Sequence, residues 1–408
     1  MVVGVLVEIS NQNVDKIFDY SVPRKLEEDI FVGIRVLVPF GKQKLEGFVL
    51  EIKDSSDLEL KDIFSVVDKD IVLNEELLTL GKEIQRMTLS TLISAYQVML
   101  PKALKAKASK EVPRKYETFY QLKVSSYVAT SGVQQRILDL FLNHSLVHRK
   151  DILNISSSAL KTLEEKGVIV PIKKEVYRIH YEAKNVVKKK LTDDQQMVVD
   201  KVLGGDFSKP FLLFGVTGSG KTEVYMNIIE KVLTDGKAAI LLVPEISLTP
   251  QMVEQFSNRF GNLVAALHSG LSDGEKYDEW RRIARGDAKI VIGARSAIFA
   301  PLKNIGVIIM DEEHSDSYKQ SDSNPKYHAR DIAILRGKYH KAPVILGSAT
   351  PSLESMARAQ KNVYQLLTLD KRVNGKVLPK VSIIDMAEET KYQKYHFSRE
   401  LIKGISKR

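Results

Sequence analysis

The stretch Phe211-Leu212-Leu213-Phe214-Gly215-Val216-Thr217-Gly218-Ser219-Gly220-Lys221-Thr222 decides the fold of the largest part of this chain. An apolar run of strand length leads into the pattern G-x-x-x-x-G-K-[ST], and a helical pattern opens directly after it. The glycines let backbone N–H groups turn inward around phosphate oxygens, and the helix N-terminus adds partial positive charge. We expect residues 215–222 to bind ATP, with Lys221 on the β- and γ-phosphates and Thr222 on Mg²⁺. The alternative is a glycine-rich turn without a ligand.

Further apolar runs of strand length alternate with helical patterns on both sides of this loop. They cover residues 239–243, 290–292, 307–310 and 344–346. Alternation of this kind predicts an α/β fold, in which a parallel sheet is wrapped by helices.

Acidic residues follow the strand at 307–310, where the sequence reads Asp311-Glu312-Glu313-His314. Since the carboxyl ends of parallel strands share one edge of a sheet, these acids are expected beside the phosphate loop. Asp311 would hold Mg²⁺ through water, and Glu312 would polarise the attacking water as a general base. The alternative is that the acids cap the next helix.

Two shorter signals lie on either side of these motifs. The amide of Gln195 is able to read the adenine edge, but with Thr192 it also forms the pattern of a helix capping box. Both roles are compatible. The run Gly347-Ser348-Ala349-Thr350-Pro351-Ser352 follows the strand at 344–346, and its hydroxyls at Ser348 and Thr350 are candidates for coupling the acids to a moving element.

Composition and charge narrow the class of protein. The 408 residues have 44% hydrophobic and 27% charged residues, so a globular chain is expected. There is no cysteine, which excludes disulfides and Cys-ligated zinc within the chain. No run of about 18 apolar residues occurs, and the N-terminus reads as a strand, so a cytoplasmic protein with no membrane contact is expected. Residues 101–190 hold 19 Lys and Arg against 8 Asp and Glu, which is typical of a polyanion-binding surface or of a solvated linker.

The chain divides into four predicted parts. Residues 1–108 are β-rich, and residues 115–182 show three helices followed by a β-hairpin, the order of a winged helix. In that hairpin a strand at 168–172 is expected to turn at Lys173 and Lys174 and to return along 176–179, with the two lysines facing DNA. Residues 183–372 form the α/β part, and residues 373–408 begin a further lobe.

Together the motifs resemble helicase superfamily 2, and most closely the PriA family of replication-restart DNA helicases. The resemblance covers essentially the whole chain. It is carried by GVTGSGKT with the following EVY, and by VPEISLTPQ (243–251), HS (268–269), GARSA (293–297), DEEHSDSYKQ (311–320), YHARD (327–331) and GSATPS (347–352).

This resemblance implies an N-terminal module that binds the 3′ end of a nascent DNA strand. Its terminal-nucleotide pocket is expected at Phe18, Asp19 and Tyr20, with Gly41 and Lys61. Asp19 would accept a hydrogen bond from the free 3′-OH, an aromatic ring would stack on the last base, and Lys61 would meet phosphate. Without the resemblance, these residues read as a strand with a surface acid.

The resemblance also implies an aromatic-rich loop that couples single-stranded DNA to ATP hydrolysis. Tyr318 and Tyr327 are its candidate stacking faces, with Arg330 and His328 beside them, and Arg295 is a further candidate DNA contact. His314, Ser348 and Thr350 would couple the two activities. Buried packing of the tyrosines is the alternative.

Family members continue into a second motor lobe with a cysteine-rich zinc region; of these, only the start of the second lobe, residues 373–408, is expected in this sequence. The resemblance therefore implies the N-terminal part of a 3′→5′ helicase that binds ATP, Mg²⁺ and forked or single-stranded DNA. Primosome proteins and single-stranded-DNA-binding protein are its implied partners, and weak turnover without unwinding is expected of this part alone. Two alternatives are a DNA-binding module without motor activity and a P-loop ATPase unrelated to DNA.

Overall fold

The structure is a computed structural model that describes residues 1–9, 11–56, 59–106, 112–184, 188–373, 381–392 and 396–407. In the described ranges, every helix is too short or too polar to cross a lipid bilayer.

The N-terminal part is a five-stranded antiparallel sheet followed by two helices. The strands pair in the order β2-β1-β4-β3-β5. All six residues of the first strand are buried, because one face packs in the sheet's own core and Leu6 on the other face packs on the helices. The bounds are β1 (Val2–Val7), β2 (Ile17–Ser21), β3 (Arg35–Phe40), β4 (Gln43–Lys53), β5 (Ser65–Val66), α1 (Glu75–Thr88) and α2 (Leu92–Met99).

The next part has the three helices and small sheet of a winged helix, with its own hydrophobic core. Its elements are β6 (Tyr116–Leu122), α3 (Gly132–Asn143), β7 (Val147–His148), α4 (Arg149–Ile155), α5 (Ser157–Glu165) and β8 (Ile169–Glu175). The predicted return strand at 176–179 is wrong. Strand β8 pairs instead with β6, from Tyr116 opposite Glu175 to Leu122 opposite Ile169. The chain beyond Glu175 is held on the next domain, where Tyr177 donates to Asp287 at 2.8 Å.

The largest part is a seven-stranded parallel sheet with helices on both faces. Its elements are α6 (Asp193–Gly204), β9 (Phe211–Gly215), α7 (Lys221–Thr234), β10 (Ala238–Leu242), α8 (Pro250–Phe260), β11 (Val264–Leu267), α9 (Asp273–Arg285), β12 (Ile290–Gly293), β13 (Ile305–Met310), α10 (Ala329–His340), β14 (Val344–Ser348), α11 (Leu353–Gln360) and β15 (Gln365–Leu369). The strand order is β11-β12-β10-β13-β14-β9-β15. The predicted α/β class is confirmed.

This strand order determines where the motifs meet. Strand β9 ends in the phosphate loop, β13 ends at the acids, and β14 ends at Ser348. The three strands are adjacent and parallel, so their carboxyl ends form one edge. Beyond β15 the structure describes α12 (Met386–Glu389) and α13 (Arg399–Ser406); residues 374–380 of the predicted further lobe lie outside the described residues. The four predicted domain boundaries stay a prediction.

The helices of the N-terminal part share a core with the α/β part. Leu77 of α1 and Tyr96 of α2 belong to the same buried cluster as Trp280 of α9 and Ile332 of α10. One buried ion pair crosses this contact, where Arg336 of α10 donates to both oxygens of Glu76 of α1 at 2.6 and 2.8 Å.

Candidate functional site

The phosphate loop has the conformation of an anion cradle. Gly218 and Gly220 have φ of +82° and +81°, a region that residues with a Cβ avoid. Gly220 is the N-cap of α7 and provides no side-chain cap, so the first N–H groups of the helix are available to a ligand. The Lys221 ammonium donates to the carbonyl of Gly215 at 2.8 Å and so lies back along its own loop.

Gln195 is buried between the start of α6 and the phosphate loop. Its Oε1 accepts from the N–H of Thr192 at 2.9 Å, which completes the predicted capping box. Its Nε2 donates to the carbonyl of Ser219 at 2.8 Å. The same amide therefore caps a helix and holds the loop in place, and its adenine contact stays a prediction.

Asp311 lies at the end of β13 and is held by α7. Tyr225 donates its hydroxyl to Asp311 Oδ1 at 2.9 Å, and a Cβ at Gly347 would lie 1.8 Å from that hydroxyl oxygen, so only glycine fits there. Burial raises the pKa of Asp311, and the neighbouring Glu312 adds to the rise. A cation would relieve both effects, as expected of a carboxylate that faces Mg²⁺ through water.

Glu312 and His314 lie where the acids meet the end of β14. Glu312 adopts φ +46°, and its Oε2 is 3.6 Å from His314 Nδ1. A 2.8 Å hydrogen bond joins His314 Nδ1 to Ser348 Oγ, and that oxygen also accepts from the N–H of Thr350 at 2.9 Å. The structure thus brings Glu312, His314, Ser348 and Thr350 into one chain of contacts. Within the described chain, no α-helix begins at the acids, so the helix-capping alternative does not describe them.

Glu313, which sequence reasoning left without a role, connects the acids to α11. Its side chain is 2% exposed and accepts from the N–H of Ser352 at 2.7 Å and from the hydroxyl of Ser355 at 2.7 Å. Its backbone N–H donates to the carbonyl of Gly347 at 3.0 Å. The end of β13 and the loop after β14 are therefore tied together from both sides. Two adjacent glutamates gave no sequence signal that separates this one from Glu312.

The residues present fit a nucleotide phosphate. Ser219 Oγ is buried and has no hydrogen-bond partner among the described residues, and it lies within the loop that leads into the N-terminus of α7. Thr222 and Asp311 supply hydroxyl and carboxylate oxygen, which are the donor types that Mg²⁺ accepts alongside phosphate and water. Among the described residues no group of three or more His, Asp or Glu forms a metal cluster.

The predicted stacking tyrosines are both buried. Tyr318 is 0% exposed and donates its hydroxyl to the carbonyl of Asp311 at 2.6 Å. Tyr327 is 5% exposed and packs edge-on against Phe299, and burial raises its pKa to about 12. Neither ring presents a face to solvent in this conformation, so the packing alternative describes them here. Arg330 is half-buried, with Nε 3.6 Å from Asp331.

A groove of about 780 Å³ lies beside this loop, between the end of the N-terminal part and the α/β part. Its lining mixes basic side chains, among them Arg295, Lys319 and Lys102, with acidic ones such as Glu245 and Asp273, and it includes His268. Arg295 donates to the carbonyl of Lys319 at 2.7 Å, which fixes the loop to the groove wall. Burial lowers the pKa of His268, and nearby Lys276 acts in the same direction.

The predicted 3′-end pocket is only partly assembled. Phe18 packs edge-on against Phe40, whose neighbour Gly41 turns at φ +59°. Tyr20 is buried and donates its hydroxyl to the carbonyl of Pro39 at 3.2 Å, so it supports the turn and offers no stacking face.

Asp19 points to the other side of β2, because side chains alternate along a strand. Lys53 of β4 lies against it, with Nζ 2.9 and 3.1 Å from the two carboxylate oxygens. Lys61 meets the end of the same strand through its backbone carbonyl, which accepts from Ser21 N–H at 3.0 Å. The structure thus places the acid and the aromatic residues of the predicted pocket on opposite faces.

The predicted turn at Lys173 and Lys174 is wrong, but both basic side chains lie on the surface. Lys173 and Lys174 lie in β8 and are exposed, and the Lys174 ammonium sits 5.9 Å from the centre of the Phe119 ring. Their DNA contact stays a prediction.

Comparison with known proteins identifies two regions of this chain. Residues 4–101 match the 3′DNA-binding domain (3′BD) of PriA, and residues 192–359 match the DEAD/DEAH box helicase domain. A helicase domain of this type binds nucleotide.

Curated relatives match over nearly the full chain. The replication restart protein PriA of Bacillus subtilis is 42% identical over 98% of this chain and 60% of its own length. PriA of Chlamydia pneumoniae is 35% identical over 98% of this chain and 56% of its own length. The chain thus spans somewhat more than half the length of these relatives. In sequence and in domain content, this chain is similar to the replication restart proteins PriA over the part that it spans.

Proposed function

We propose that this chain supplies the 3′-end-binding module and the first motor lobe of an ATP-dependent 3′→5′ DNA helicase that acts in replication restart. One observation carries the proposal. The phosphate loop, the acids of β13 and the hydroxyls of β14 meet at one edge of the sheet, where hydrogen bonds connect their residues.

In this proposal Lys221 leaves the carbonyl of Gly215 and contacts the β- and γ-phosphates of ATP. Thr222 and Asp311 hold Mg²⁺, which would neutralise charge on the phosphates when bound. Glu312 orients the attacking water. His314, through Ser348, relays the state of this site to the loop that precedes α11.

DNA would occupy three surfaces. Single-stranded DNA lies in the groove at Arg295, and the duplex lies on the wing at Lys173 and Lys174. Asp19 accepts from the free 3′-OH of a nascent strand. Partners of the primosome type, including single-stranded-DNA-binding protein, and a cytoplasmic location are inferred from the similarity to PriA and belong to this proposal.

Nucleotide binding is the first test. Isothermal titration should show MgATP binding to the chain and none to Lys221→Ala, while both bind a forked DNA with equal affinity, since the two surfaces are separate. Unchanged nucleotide affinity in Lys221→Ala would remove the phosphate assignment. DNA-stimulated ATP turnover then separates a motor from a DNA-binding module, which would show none.

The 3′-end assignment has its own test. A hydroxyl that donates to a carboxylate contributes about 1.5–3 kcal/mol, so a fork with a free 3′-OH should bind about tenfold or more tighter than one with a 3′-phosphate. Asp19→Ala should abolish that preference and keep charge-driven DNA affinity. Lys53→Ala is the matched control, because it removes the partner of Asp19 and leaves the acceptor. Equal binding of both ends by the unaltered chain would refute an end-reading role.

A further inference from the structure

The four residues that follow the last strand of the sheet, 370–373, lie along the phosphate loop. Leu369 at the end of β15 accepts from the N–H of Val216 at 3.2 Å, and Val373 donates its N–H to the carbonyl of Gly218 at 3.1 Å. The loop is therefore bound to this segment by its backbone at two points. Lys371, between them, turns the other way and pairs with Asp194 of α6 at 3.3 Å.

Arg372 is the side chain that this arrangement directs at the loop. Its Cγ and Cδ lie 3.9 and 4.0 Å from the position that a Cβ on Gly218 would occupy. The guanidinium begins one bond beyond Cδ, so it lies at the tip of the cradle. A larger residue at position 218 would also be strained, since φ there is +82°.

The Nε of this guanidinium is buried and has no hydrogen-bond partner within the part of the chain that the structure describes, and no ion pair to Arg372 is found there. A buried N–H group without a partner is costly and needs an explanation, and a bound anion would provide one. The nearest structure that attracts a ligand is the phosphate loop itself.

We propose that Arg372 binds the polyphosphate of the nucleotide, as a second cation beside Lys221. This inference rests on the proposed nucleotide site and adds a residue to it. A planar guanidinium forms paired, charge-assisted hydrogen bonds with phosphate oxygens. Because the segment is anchored to the loop at Val216 and Gly218, Arg372 moves with the cradle and is in place before nucleotide arrives.

The experiment measures the binding of two probes, MgATP and inorganic tripolyphosphate, by titration calorimetry. Arg372→Ala should weaken both by about ten- to a hundredfold, the loss expected for one charge-assisted contact. Arg372→Lys should lose less, because it keeps the charge and gives up the paired geometry. Lys371→Ala is the matched control: it removes the same charge one residue away and should stay within about twofold of the unaltered chain.

Each other outcome overturns the inference in a distinguishable way. If Arg372→Ala weakens MgATP but not tripolyphosphate, the residue contacts the base or ribose. An equal loss of affinity in Lys371→Ala would show that the effect comes from removing any positive charge near the site and not from a contact of Arg372. If Arg372→Ala binds both probes as well as the unaltered chain while Lys221→Ala binds neither, the role of Arg372 is refuted and the proposed nucleotide site is retained. If the unaltered chain binds neither probe, the proposed function fails, and this inference fails with it.

Discussion

Replacing Glu76 by Gln should destabilise the junction between the N-terminal helices and the motor lobe by about 3–5 kcal/mol. Arg336 is 1% exposed, and its guanidinium donates to both Glu76 oxygens and to the carbonyls of Ile298 and Ala300. Glu76→Gln keeps the shape of the side chain and removes its negative charge. It therefore leaves a buried guanidinium without a counter-ion, which is the costly way to break a buried pair.

The single tryptophan of the chain provides the assay for this prediction, because Trp280 lies in the same buried cluster as Leu77 of α1. Urea unfolding followed by its fluorescence reports on this junction. Glu83→Gln is a matched control on the same helix, since its ion pair with Arg86 is exposed and should cost less than about 1 kcal/mol.

A second variant separates charge from packing. Replacing the pair together, with Glu76→Leu and Arg336→Met, should recover most of the stability, because apolar residues of similar volume often replace a buried ion pair without net cost. A destabilisation below about 1 kcal/mol in Glu76→Gln would refute the reasoning, since it would mean that water already reaches the pair. Failure of the double variant to recover stability would show that the hydrogen bonds from Arg336 to the backbone carbonyls dominate.

Three further predictions concern other parts of the molecule. Burial opposes the charged form of Glu76, but hydrogen bonds from His340 and Arg336 outweigh it and hold the pKa of Glu76 below its ordinary value. The contribution of the Glu76 carboxylate to stability should therefore be complete above about pH 4.3 and disappear as the pH falls further. Acid titration followed by Trp280 fluorescence would detect this loss, and Glu76→Gln should remove the pH dependence. Replacing Lys173 and Lys174 by Ala should lower the slope of log affinity against log salt for duplex DNA by about 0.9 for each phosphate that the wing no longer neutralises, and an unchanged slope would exclude the wing from the DNA surface. Glu313→Ala should cost about 1–3 kcal/mol in thermal unfolding, because buried donors are left without their acceptor, with a smaller effect in Glu313→Gln.

The sequence predicted the structure best where a single local pattern is enough to define an element. The phosphate loop, the acids and five strands follow from apolar runs that end in glycine, proline or acid, and the structure places them as expected. Strands β11 and β15 were missed. β15 alternates buried and exposed residues at the sheet edge, so it forms no continuous apolar run, whereas β11 (Val-Ala-Ala-Leu) does form one and was not recognised as a strand.

Non-local pairing explains the remaining differences. The partner of β8 is β6, which precedes the three helices, and a local hairpin pattern cannot indicate a partner about fifty residues upstream. The burial of Tyr318 depends on the carbonyl of Asp311, and the pairing of Asp19 with Lys53 depends on strand order. In each case the neighbours of the residue were determined by the tertiary fold, which a local sequence pattern does not contain.

The N-terminal part and the winged helix are joined to the α/β part in different ways. Helices α1 and α2 share a buried core with the lobe and are fixed to it by the pair of Glu76 and Arg336. The winged helix keeps a core of its own, and the chain leaves it along a strap in which Arg178 pairs with Asp278 at 2.7 Å and Tyr181 donates to Glu279. Moving the N-terminal part would expose a shared core and a buried charge. Moving the strap would leave both hydrophobic cores intact, but it would remove one partner each from Asp278 and Glu279, whose carboxylates are fully buried. The region that matches the 3′DNA-binding domain is thus part of the same packed body as the phosphate loop, whereas the winged helix keeps a separate core and is held to the α/β part through polar contacts.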